Sequence, residues 1–148
     1  MWAAIALPIL TGRLRYAQRF IAANVVAFLL ALPLFALIPA IGPWYGYHMV
    51  TSASQLEAQT NLLQLRTPGP HLYHPPAGVI CFPSFHVIWA ILSACALWNL
   101  RWLRLPILIL TGLIIFSTLS FGVHYLLDII GAIPIVIAAE FAADRLLS

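Results

Sequence analysis

Long apolar stretches alternate with short polar segments along this chain. Four of the stretches are long enough, or nearly so, to cross a membrane, and they comprise residues 20–41, 85–100, 105–121 and 125–147. A helix that spans the hydrocarbon core needs about 20 residues, with a usual range of about 17–25. The stretch 85–100 is short, so flanking residues must extend it if it is to cross the membrane. The pattern therefore predicts an all-α fold, a polytopic transmembrane helical bundle with about four spans.

A further apolar segment, residues 1–10, is too short to cross a membrane by itself. It is followed by Arg13, Arg15 and Arg19, whereas a signal peptide carries its positive charges before the apolar part. We interpret it as the stump of another helix or as an interfacial segment. We therefore expect residues 1–148 to form a single membrane domain that is partial at its N-terminus.

The composition also indicates an integral membrane protein. Hydrophobic residues make up 63% of the chain and charged residues only 7%, with a mean hydropathy of +0.99, whereas a soluble domain carries about 25% charged residues. The formal net charge of +3 comes from seven Arg and no Lys against four acidic residues. So small an excess does not indicate nucleic-acid binding, and two cysteines do not make a disulfide framework.

The Arg residues predict how the bundle is oriented. With four spans, one side of the membrane receives Arg13, Arg15, Arg19, Arg101, Arg104 and Arg145. By the positive-inside rule this is the cytoplasmic side. The connection 42–84 and the turn 122–124 then lie outside, and Arg66 is the exception to the pattern. We therefore expect an integral protein of the plasma membrane, which in a bacterium is the inner membrane. Its two polar segments should meet at the outer face, which in a bacterium is the periplasmic face.

The first polar segment is Pro83-Ser84-Phe85-His86, at the start of an apolar stretch. Ser is a favoured helix N-cap, and a helix N-terminus offers backbone N–H groups and a positive dipole end to a phosphate. The hydroxyl of Ser84 adds a donor, and His86 lies beside the same anion site. The same residues would equally make an ordinary capped membrane helix with an interfacial His.

The second polar segment contains His124 and Asp128, which share a face if they lie on one helix. The carboxylate can then accept a hydrogen bond from one imidazole nitrogen and leave the other free to attack or to accept a proton. Alternatively, the two residues form a buried pair that only holds helices together. Ser117 and Thr118 precede them, and their hydroxyls can either reach a phosphate or bond carbonyls of their own helix.

Together, the Pro-Ser-x-His segment and the run from Ser117 through His124 to Asp128 resemble the type 2 phosphatidic acid phosphatase (PAP2) superfamily. The resemblance implies that His124 is a nucleophile that forms a phosphohistidine, that Asp128 orients it and that His86 protonates the leaving group. Ser84 would bind phosphate, and we expect the hydroxyls of Ser117 and Thr118 to contribute in place of cations that the family usually has. The implied reaction needs no cofactor and no metal.

Two departures from the family pattern remove phosphate-binding cations. The upstream Lys and Arg-Pro of the first family motif are absent, and the Arg that usually follows the Ser of the last motif is Thr118. With the upstream run Pro39-Ala40-Ile41-Gly42-Pro43, the pattern is similar to the branch related to inositol phosphorylceramide synthases, which transfers a phosphoryl headgroup between lipids. Arg66 is then the outward cation that could bind phosphate in a bidentate way.

The leading hypothesis is a membrane-embedded phosphatase or phosphotransferase that acts on a lipid phosphate or phospholipid at the outer face. The pattern leaves open whether water or an alcohol accepts the phosphoryl group, and it predicts no oligomeric state. A b-type cytochrome with His86 and His124 as haem ligands is a second hypothesis, but it leaves Ser84 and Asp128 unexplained. A third is an inactive scaffold or transporter, because the family's cations are missing.

Overall fold

In the computed structural model of the chain, residues 2–38, 40–47, 52–65, 67–69 and 81–148 are described, and these form helices and turns with no strand among them. This confirms the predicted all-α fold. A 3-10 turn, Arg101–Leu103, links the fifth helix to the sixth. The α-helices are α1 (Trp2–Leu10), α2 (Leu14–Leu37), α3 (Pro43–Gly46), α4 (Ala53–Leu65), α5 (Phe85–Leu97), α6 (Arg104–Ser120) and α7 (Leu126–Leu146).

Three helical segments are long and apolar enough to cross a membrane, namely Leu14–Leu37, Arg101–Ser120 and Leu126–Leu146. Helix α5 is also apolar but has 13 residues. At 1.5 Å per residue it is about 20 Å long, against about 30 Å of hydrocarbon core. The expected four spans are therefore three long helices and one shorter helix within an all-α bundle. Helices of this length and composition indicate an integral membrane protein.

Helix α2 begins at Leu14, before the apolar stretch from which it was predicted, because three Arg residues near its start have polar partners. Arg13 Nη1 donates to the backbone and side-chain oxygens of Asn99 at 2.7 and 2.6 Å. Arg19 forms ion pairs with Glu140 at 2.6 Å and with Asp144 at 2.9 Å. Paired charges can be placed at a membrane boundary at lower cost than isolated ones.

Small residues bring the central helices together. On α2, Ala23, Ala27 and Ala31 repeat every four residues and are fully buried, so that they form one face of the helix. Helix α2 packs mainly against α7, whose Ala132 and Ala139 are also fully buried. Small side chains allow the backbones of membrane helices to approach closely. The core formed in this way also includes one side of α5.

The bundle has two chemically different ends. Because α5 and α7 run in one direction and α6 in the other, the starts of α5 and α7 meet the end of α6. The opposite end holds every described Arg residue. Contacts of Arg13 and Arg19 with Asn99, Glu140 and Asp144 place the start of α2 there, and the 3-10 turn contains Arg101. These residues are Arg13, Arg15, Arg19, Arg101, Arg104 and Arg145.

Candidate active site

A main-chain hydrogen bond joins the two polar segments. The N–H of Ser84 donates to the carbonyl oxygen of Asp128 at 3.1 Å. Ser84 is also the N-cap of α5, since its Oγ accepts from the N–H of Val87 at 3.5 Å, and its side chain is fully buried. The predicted helix start is therefore present, and it lies directly beside the start of α7.

The side chains of His86 and His124 are in contact. The Nδ1 atom of His86 lies 3.2 Å from Nε2 of His124, and the two rings meet edge to face with centroids 5.5 Å apart. His124 is only 2% exposed, whereas His86 is exposed. Two imidazoles that are 38 residues apart in sequence are thus in direct contact, and His86 is the one nearer solvent.

The other nitrogen of His124 has two oxygen neighbours. Its Nδ1 atom lies 2.8 Å from the carbonyl oxygen of Cys81 and 3.3 Å from Oδ2 of Asp128. A carbonyl oxygen can only accept, so Nδ1 carries the hydrogen in this arrangement. The lone pair of the neutral ring is then on Nε2, which faces His86. The tautomer is the one that a nucleophilic Nε2 requires.

Asp128 has a second role at the start of α7. Its Oδ2 accepts from the backbone N–H of Tyr125 at 2.8 Å, as the third residue of a helix does in a capping box. The carboxylate therefore contacts both the backbone at the helix start and the ring of His124. It is 2% exposed, and the nearby N-terminus of α7 favours its negative charge.

His124 does not lie on the same helix as Asp128, as the spacing had suggested, but in the turn that precedes α7. Helix α6 ends with a Schellman motif in which Gly122 has a φ of +62°. The carbonyl of Thr118 accepts from the N–H groups of Val123 and His124, both at 3.1 Å. The end of α6 therefore fixes the backbone of His124, and the start of α7 fixes its side chain.

The other residues predicted to bind phosphate are Ser117, Thr118 and Arg66. The hydroxyls of Ser117 and Thr118 donate to Ile114 and Ile115 of their own helix, both at 2.8 Å. The intrahelical alternative is thus the one seen in the substrate-free protein. Arg66 lies outside the described residues.

A cavity of about 420 Å³ opens beside His86, between α5 and α6. It extends along α5 as far as Leu97, which is about 16 Å at 1.5 Å per residue. This distance is about half the thickness of the hydrocarbon core. Most of the lining is apolar, and the polar side chains in it are those of His86, Ser93, Thr111, Ser117 and Thr118.

Among the described residues, positive potential at this end comes from helix termini. The chain contains no Lys, and the described Arg residues lie at the opposite end of the bundle. The N-termini of α5 and α7 meet here, and each carries a partial charge of about +0.5. In the part of the chain that the structure describes, no group of three or more His, Cys, Asp or Glu side chains is suited to a metal.

The contact between the two His residues does not fit the haem hypothesis. A metal–imidazole bond is about 2 Å long. Two axial ligands of one iron therefore lie about 4 Å apart with the porphyrin between them. The nitrogens of His86 and His124 are 3.2 Å apart, and the rings meet at 63°. This leaves no space for a macrocycle between them.

One neighbour of His124 was missed by the sequence. The side chain of Cys81 is buried and forms no disulfide. It is the backbone carbonyl that contacts His124. Main-chain groups are the same in every residue, so no residue type could have signalled this contact.

The sequence as a whole agrees with this arrangement. A family model described as the PAP2 superfamily matches residues 1–142. No curated protein and no solved structure shows a significant match to the chain. The matched range covers nearly the whole chain and contains His86, His124 and Asp128. The chain therefore belongs to the PAP2 superfamily.

Proposed function

We propose that this protein is a membrane-embedded lipid-phosphate phosphatase or phosphotransferase that works through a phosphohistidine on His124. Membership of the PAP2 superfamily supports a phosphatase-type activity. The observation that carries the more specific proposal is the contact between Nε2 of His124 and Nδ1 of His86 at 3.2 Å, with Nδ1 of His124 already hydrogen-bonded on its other side. A nucleophile and a proton donor are thus next to each other.

The reaction follows from this placement. The lone pair on Nε2 of His124 attacks phosphorus, the bond from phosphorus to the leaving alcohol breaks, and protonated His86 gives its proton to the leaving oxygen. Water or a second alcohol then attacks the phosphohistidine while neutral His86 takes a proton, and the P–N bond breaks. A bound phosphoryl group must separate the two nitrogens, and the side chain of His86, which is exposed, can rotate to allow it.

The cavity supports a lipid as the substrate. It begins at His86 and has mostly apolar walls. A hydrocarbon chain placed in it would extend through about one leaflet, since its length is about half of the hydrocarbon core. The phosphate would then remain at the polar end of the bundle, next to the N-termini of α5 and α7, which favour negative charge.

Transfer between lipids is the finer form of this proposal. The absence of the upstream Lys and Arg-Pro, together with the run Pro39-Ala40-Ile41-Gly42-Pro43, favours the branch related to inositol phosphorylceramide synthases. We further propose that Ser84, Ser117, Thr118 and Arg66 contribute to phosphate binding. For Ser117 and Thr118 this requires that the hydroxyls turn away from their own helix when the substrate enters.

We expect the purified protein in proteoliposomes to release inorganic phosphate from at least one member of a panel of lipid phosphates. When a lipid alcohol is added, we expect part of the phosphoryl group to appear on that alcohol. His124→Ala should abolish both products, because it removes the nucleophile. If the wild-type protein and His124→Ala give the same background with every lipid, the protein is a scaffold or transporter instead.

We also propose that the active site faces outside, because the described Arg residues gather at the other end of the bundle. Tyr47 and Trp102 lie near opposite ends and are similarly exposed, 72% and 69%. In a chain with Cys81→Ala and Cys95→Ala, an impermeant thiol reagent applied to whole cells should label Tyr47→Cys and not Trp102→Cys. Labelling of Trp102→Cys alone would show that the orientation is reversed.

A further inference from the structure

His124 has a nearer hydrogen-bond partner than the carboxylate. Its Nδ1 atom is 2.8 Å from the carbonyl oxygen of Cys81 and 3.3 Å from Oδ2 of Asp128. That same oxygen of Asp128 accepts from the N–H of Tyr125 at 2.8 Å. Because an acceptor oxygen that serves a second donor is less available, the carbonyl is the better-placed partner of the His124 ring.

The segment that carries this carbonyl is attached to α7 at two points. The N–H of Ser84 donates to the carbonyl of Asp128. The ring of Phe82 lies against Gly131, where an added Cβ would come within 2.5 Å of Cε2 and 2.8 Å of Cζ of that ring. Only a glycine permits so close an approach, so the position of the Phe82 ring depends on Gly131.

The side chain of Cys81 has no part in this contact. Burial raises the pKa of its thiol to about 12, and the negative charge of Asp128 contributes to the shift. The thiol therefore stays protonated and uncharged at neutral pH. What Cys81 offers to His124 is its backbone oxygen.

We propose that the backbone carbonyl of Cys81 is a positioning group for His124, and that the packing of Phe82 on Gly131 holds this carbonyl in place. The inference rests on the proposed function, in which His124 is the nucleophile. The carbonyl and Asp128 together keep the hydrogen on Nδ1 and fix the plane of the ring. Nε2 then keeps its lone pair and points to the place where phosphorus enters. Phe82 and Gly131 act through His124 and touch no substrate.

Gly131→Ala tests this, because the new methyl group must displace the ring of Phe82. Gly112→Ala in α6 is the matched control, since a Cβ there meets no atom within 4 Å. Both changes give a similar gain in helix propensity, so neither should unfold the protein through its backbone. The readouts are the ¹⁵N NMR resonances of His124 without substrate, and kcat and KM with it.

We expect Gly131→Ala to shift His124 from the Nδ1–H tautomer to a mixture and to lower kcat about tenfold, the effect of about 1.4 kcal/mol. KM should change little, because the loss concerns the attacking atom. Gly112→Ala should resemble the wild type in both readouts. Adding Phe82→Leu to Gly131→Ala removes the overlap and should restore the wild-type resonances in part.

A second replacement probes the carbonyl and leaves the other side chains in place. The α-hydroxy analogue of Phe82, 3-phenyllactic acid, turns the Cys81–Phe82 amide into an ester, whose carbonyl is a weaker acceptor. We expect the same change in tautomer and a similar loss in kcat. If neither replacement moves the His124 resonances, the proposal is wrong, even if kcat falls. Because the resonances are read without substrate, this result is independent of whether the wild-type protein turns over any lipid.

Discussion

His124→Asn is expected to lower turnover of a lipid phosphate by about 10⁴-fold or more, as loss of a nucleophile does in other covalent enzymes. The amide N–H of Asn can take the place of Nδ1–H and donate to the carbonyl of Cys81 and to Asp128. The substitution therefore preserves the hydrogen bonds on that side and removes only the attacking Nε2. The loss should come from chemistry and not from unfolding.

Trapping of the intermediate is the measurement that decides this prediction. The wild-type protein, mixed with a ³²P-labelled lipid phosphate and quenched in base, should retain label as a phosphoramidate that acid removes. His124→Asn should retain none. If the His124→Asn variant still retains ³²P, another group accepts the phosphoryl group, and the assignment of His124 is wrong.

His86→Asn should have the second largest effect, and the size should depend on the leaving group. General acid catalysis contributes about 10²–10⁴-fold. Turnover of a lipid phosphate, whose alkoxide needs a proton to leave, should fall by a factor in this range. Turnover of p-nitrophenyl phosphate should fall much less, because its phenolate leaves without protonation.

Cys95→Ala is the matched control, because it lies on the same helix as His86 and its thiol is free. It should leave the rates with both substrates near those of the wild type. Equal losses with both substrates in His86→Asn would show that His86 holds the phosphate or the fold and does not give the proton.

Few of the described residues near the candidate site carry a formal charge. Phosphoryl transfer is stabilised mainly by fixed donors and cations. In the described residues, the donors at this end are backbone N–H groups at two helix starts and the hydroxyls of the cavity wall. Arg66 remains the predicted cation. Besides His86, which carries a positive charge when protonated, the N-termini of α5 and α7 are the positive groups that the described part of the chain places beside His124.

The sequence by itself determined the long helices and the start of α5, because these follow from local patterns. Apolar length was enough to predict α2, α6 and α7 approximately, and the small polar Ser84 before an apolar run marked the start of α5. The six described Arg residues also gathered at one end, as their positions between the spans required. For α2 the sequence placed the start too late, because its charged residues find partners on other helices.

The tertiary structure alone decided how the residues proposed to be catalytic meet. The contacts of His124 with His86 and with the carbonyl of Cys81 join residues that are 38 and 43 positions apart. They depend on the docking of α5 beside α7 through Ser84 and Asp128, and of Phe82 on Gly131. Residue types indicate which side chains can do chemistry. Which backbone carbonyl comes within 2.8 Å of an imidazole depends on how closely two helices pack, and no local pattern of residues records that distance.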